Sequence, residues 1–65
     1  MEETLRKLEE NLAHEFSPFT TAMFLGFVKT QPNILRKLQI NFDAGLAHCV
    51  EVIKEAEQIS TRKFS

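Results

Sequence analysis

Phe16-Ser17-Pro18-Phe19-Thr20-Thr21-Ala22-Met23-Phe24-Leu25-Gly26-Phe27-Val28 is a run of thirteen residues without a charge. It holds four of the six phenylalanines in a chain of 65 residues. Helical spacing spreads Ala22, Met23, Phe24, Leu25, Phe27 and Val28 over nearly every side of its second half. A helix that is apolar all round needs cover on all sides. A chain this short has little interior, because the share of surface buried on folding falls with size. The expected cover is a second protein chain, and the expected function is association.

The flanking segments complete the predicted fold. Leu5, Leu8, Leu12 and Phe16 recur at spacings of three and four, which makes residues 2–15 an amphipathic helix. Glu2 to Arg6 and Glu3 to Lys7 are i,i+4 pairs in the favourable order, and acids suit the first turn of a helix. Ser17 reads as an N-cap and Pro18 as the first helical position, so a second helix should run to about Thr30. The alternative is one helix kinked at Pro18. Pro32 forces Gln31 into extended backbone, which predicts a turn capped by Thr30, Gln31 or Asn33.

Residues 33–59 then read as one long helix, about 40 Å at 1.5 Å per residue. Leu35, Leu38, Phe42, Leu46, Cys49, Ile53 and Ala56 form its broad apolar stripe, with Ile40, Ala44 and Ala47 as a smaller stripe opposite. Gly26 reads as a place where another backbone comes close, and Gly45 as a soft spot where the long helix bends. The predicted fold class is all-α: two short helices plus one long C-terminal helix, a helical hairpin or three-helix unit. Residues 1–59 form the single domain and 60–65 a loose tail, and oligomerisation completes a helical bundle.

Composition narrows the function. The single cysteine, Cys49, excludes an intramolecular disulfide and a cysteine-rich metal site. Small domains without those staples depend on oligomerisation or on very regular helix packing. Net charge is −1, so no global field favours nucleic acid or an anionic membrane. The charges fall in blocks: five acids and two bases in residues 1–15, then three bases (Lys29, Arg36, Lys37) and no acid in 16–42. That pattern predicts the small basic patch as a partner for the acidic first helix. The start Met1-Glu2-Glu3 is unlike a signal peptide, and no stretch reaches the roughly 20 apolar residues of a membrane span. A cytoplasmic location is expected.

Candidate chemistry is sparse. His48, Glu51 and Glu55 share helical spacing but sit toward the polar side of the predicted helix, where solvation is the simpler role. His14 falls at the end of the first helix, where an imidazolium suits the dipole. Cys49 lies in the apolar stripe with no neighbouring base in sequence to activate it. Gly26 and Gly45 are the only glycines, too few for a phosphate loop. No enzyme, cofactor or metal is expected. A helix-turn-helix reading would make Phe19–Val28 the recognition helix, which has no side chain to read bases or bind phosphate. Membrane-surface docking would need a charged face opposite Phe24, Leu25, Phe27 and Val28, and there is none.

The leading reading is a protein–protein interaction module, with a small nucleic-acid-binding regulator as a further alternative. Its predicted interface is Phe19, Met23, Phe24, Phe27, Val28, Leu35, Leu38, Phe42, Leu46, Cys49 and Ile53. Self-association into a homodimer or higher oligomer is one partner assignment. The other is a small adaptor or chaperone that receives an amphipathic helix of another protein. A short acidic helix with Leu8-Glu9-Glu10, followed by a longer apolar C-terminal helix, resembles in size and layout the small helical co-chaperones of type III secretion needle subunits. That resemblance implies the adaptor role. It covers layout alone, since the phenylalanine-rich middle has no counterpart there.

Overall fold

Helix α1 (Glu2–Ala13) opens an arrangement that continues with α2 (Pro18–Lys29), α3 (Pro32–Ile40) and α4 (Phe42–Phe64). The computed structural model describes residues 2–64, with side chains placed for residues 2–59. Among the described residues there is no strand, and the fold is all-α.

Each boundary has a local cause. Ser17 takes extended backbone and its Oγ accepts from the Thr20 N–H at 3.2 Å, with Pro18 at the first helical position. Helices 1 and 2 are therefore separate and not one kinked helix. Thr30 closes α2, its Oγ1 donating to the Phe27 carbonyl at 2.8 Å. Gln31 precedes Pro32 as the N-cap of α3 without a side-chain bond, so the proline alone sets this start.

The expected single helix over 33–59 is instead two helices that meet at Asn41. Its backbone is extended (φ −147°, ψ 100°), its N–H donates to the Lys37 carbonyl, and its Oδ1 accepts from the Ala44 N–H at 3.3 Å. One residue thus ends α3 and caps α4, which is a preferred role for asparagine. The break lets α3 fold onto α4 at Gly45. A Cβ built there would lie 2.9 Å from the Leu38 Cα and 2.8 Å from its Cδ2. Gly45 is the close-approach glycine, and Gly26, with nothing within 4 Å of such a Cβ, is not. At the other end α4 continues to Phe64, through the segment expected as a loose tail. No glycine or proline interrupts residues 60–64.

Helix α4 is the spine of a particle measuring 38 × 21 × 19 Å. Helix α1 packs on α2 and α4, α2 on α3, and α3 most closely on α4. The core is Leu8, Leu12, Phe24, Val28, Leu35, Leu38, Cys49 and Ile53, all buried, with Leu5, Phe16, Leu25, Phe42 and Leu46 packed around it. The apolar stripe read across residues 35–53 points inward on both sides of the break at Asn41.

The expected pairing of the acidic first helix with the basic patch is not found among the described residues. Arg6 lies 4.0 Å from Glu3 within α1, instead of pairing with Glu2, and Lys7 places its Nζ 4.9 Å from the centre of the Phe42 ring. Among the described residues no ion pair joins α1 to Lys29, Arg36 or Lys37; α1 meets its neighbours through Leu8 and Leu12 instead.

Candidate functional site

Most of the predicted interface serves the chain itself. Phe24, Val28, Leu35, Leu38, Cys49 and Ile53 are buried in the core, and Phe42 and Leu46 are half-buried against it. The chain's own helices bury or half-bury all eight, and of these only Phe24 and Ile53 also line the groove described below. The chain's own helices thus supply cover for these residues.

Three of the predicted residues remain outside. Phe19 is 73% exposed, Met23 62% and Phe27 44%. They stand at i, i+4 and i+8 on α2, so they form one ridge along the helix. Beside the ridge run Ala22 and Gly26, also exposed. The Phe27 ring is seated on the buried Phe24 ring, with centroids 5.7 Å apart and planes tilted by 41°. That contact orients one end of the ridge.

Helix α2 does not close onto the C-terminal half of α4, and a groove of about 600 Å³ lies between them. Phe19, Met23, Phe24 and Phe27 line one side, and Val52, Ile53 and Ala56 the other, with Thr20 and Glu57 also lining it. Phe24 and Ile53 are its buried members, continuous with the core. The wall from α4, Val52 and Ala56, lies outside the predicted interface. Ala56 is nonetheless the last member of the stripe read along residues 35–56.

The residues considered for chemistry do not assemble. Cys49 is fully buried, and removal from water pushes its thiol up to about 11, away from the reactive thiolate. Among the described residues no three His, Cys, Asp or Glu side chains are placed to hold a metal ion, His48, Glu51 and Glu55 included. His14 lies just past α1 and is exposed. Among the described residues no helix is long and apolar enough to cross a membrane.

Compared with known proteins, the chain matches no family model, no curated sequence and no solved structure. The reading of its function therefore rests on the ridge and the groove.

Proposed function

We propose that this protein is a non-enzymatic helical association module that self-associates through the outer face of α2. One observation carries the reading: three large apolar side chains, Phe19, Met23 and Phe27, form a continuous ridge on the outer face of α2 beside an apolar groove. Single exposed apolar residues are ordinary, whereas a contiguous patch marks an interaction surface. The face carries no charge from Phe16 to Val28, so two copies meet there without apposing like charges.

The size of the ridge sets the strength. An aromatic side chain of this kind buries about 150–250 Å², so the three residues at their observed exposure offer on the order of 350 Å² per chain. Two copies bury on the order of 700 Å², below the roughly 1,200–2,000 Å² of a standard stable interface. An interface of that size belongs with weak, reversible contacts.

Light scattering on the purified chain over a hundredfold dilution tests this. The expected result is a mass that falls from dimer to monomer while helicity stays constant, because each chain has its own core. A monomer at every concentration sinks self-association and leaves the groove for an amphipathic helix of another protein, the adaptor role.

A further inference from the structure

We propose that the corner at Asn41 is a hinge, and that opening it lets two copies of the chain exchange helices. In the exchanged dimer α3 and α4 join into one continuous helix. Helices α1 and α3 of each chain then pack on α4 of the other. This second state does not depend on the α2 face.

Three observations at the corner carry it. First, the apolar stripe runs through the corner without a change of register: Leu35, Leu38, Phe42, Leu46, Cys49 and Ile53 keep spacings of three and four across Asn41. A corner needs no common register between the two helices it joins, whereas one continuous helix does.

Second, the corner leaves helix bonds unmade. The Asn41 N–H donates to the Lys37 carbonyl, and the Gly45 N–H donates to the Asn41 carbonyl. Between them, among the described residues, no backbone bond joins Phe42 to Leu38, Asp43 to Gln39 or Ala44 to Ile40. Only the Ala44 N–H has a substitute, the Asn41 Oδ1 at 3.3 Å. A continuous helix makes all three bonds. Third, little holds the bend. Pro32 fixes the turn between α2 and α3, but residues 33–44 contain neither proline nor glycine. Asn41 has ordinary extended backbone, and rotation about that one residue turns the corner into helix.

Exchange keeps the core. Contacts of α1 with α2 and of α2 with α3 stay within one chain, while those of α3 and α1 with α4 are remade between chains. The peptide between Asn41 and Phe42 lies midway between Leu38 and Gly45 in sequence. Two opened helices that cross there in opposite directions set Leu38 of each level with the partner's Gly45. The close approach of the closed chain, Leu38 Cα at 2.9 Å from a Cβ built on Gly45, is thereby available between copies. The area buried is that of the chain's own core, so the small area of the exposed ridge does not limit this dimer. Short hinges between packed elements are the places where such exchange occurs.

Refolding from urea at high protein concentration, followed by sizing, tests the hinge. The natural chain should yield some dimer that persists for hours after a hundredfold dilution, because separation requires α3 to leave α4. Asn41→Ala removes the Oδ1 bond and favours helix, so it should raise the ratio of persistent dimer to monomer about tenfold. Phe42→Pro puts proline at the first position of α4, which suits the extended Asn41 and should give a helical monomer without that dimer. Spin labels at Asn33→Cys and Glu55→Cys in a Cys49→Ala background, refolded with excess unlabelled chain, read the hinge itself. In the isolated dimer their separation within one chain should lengthen to about 33 Å, the span of a straight helix over 33–55. Phe19→Ser with Met23→Ser should abolish association through α2 and leave the exchanged dimer, so the two modes fail separately. No persistent dimer from either the natural chain or Asn41→Ala overturns the hinge. A persistent dimer whose label separation equals that of the monomer overturns it as well.

Discussion

Thr21 is 3% exposed and its Oγ1 has no hydrogen-bond partner. A buried hydroxyl left unpaired costs about 1–3 kcal/mol. Valine has nearly the same shape without the hydroxyl, so Thr21→Val should stabilise the fold by about 1 kcal/mol, seen as a higher denaturation midpoint in urea at unchanged slope. Cys49 makes the opposite kind of statement. Its thiol is held protonated by burial up to about 11, against an ordinary value of 9.0. Below pH 9 both folded and unfolded chains keep the proton, and the group costs nothing. Above it the unfolded chain loses the proton first, so stability falls as pH rises from about 9 through 11. At about 1.4 kcal/mol per pH unit the loss approaches roughly 3 kcal/mol. Urea titrations from pH 8 to 11 should show that loss in the natural chain and a flatter profile in Cys49→Ala. The burial of Cys49 was legible from its place in the apolar stripe. The orphaned hydroxyl of Thr21 was not, because nothing in Thr20-Thr21 says which threonine faces inward.

At the scale of elements the two glycines separate what pattern reveals from what packing reveals. Both lie in helical stretches and look alike in sequence. Gly45 lies against Leu38, where α3 crosses α4, and a Cβ there would meet backbone at 2.9 Å. Gly26 faces open space. Gly45→Ala should therefore destabilise by about 1–3 kcal/mol through overpacking. Gly26→Ala should stabilise the monomer by up to about 1 kcal/mol through helix propensity. Thermal melts at a concentration where the chain is monomeric will read the two signs. The Ser17-Pro18 break and the Gln31-Pro32 break were visible because proline restricts the backbone on both sides. The break at Asn41 was not visible. Asparagine is tolerated within helices as well as at their caps, and here it is the fit of Leu38 against Gly45 that accompanies the break.

At the scale of the molecule, the described residues bury one core and leave the apolar face of α2 exposed. Leu8, Leu12, Val28, Leu38 and Cys49 are fully buried with no help from a partner. Helicity should therefore survive dilution, and rapidly reversible association should report only on α2 and the adjoining groove. The residues of the predicted interface divide in this fold between core and surface. The inward half is covered by α1, α3 and α4. Only Phe19, Met23 and Phe27 of that set stay exposed. The groove wall from Val52 and Ala56 became apparent only once α4 was placed opposite α2.

Periodicity and proline placement by themselves determined that the chain is helical, where α1 ends and α2 begins, and which stripe of residues 35–53 points inward. These are local properties, set by 3.6 residues per turn and by the steric limits of a fixed φ. Tertiary structure decided the corner at Asn41, the partner of Gly45 and the division of the phenylalanines between core and surface. Those depend on contacts between residues distant in sequence. An apolar side chain looks the same in a sequence whether its cover comes from its own chain or from another.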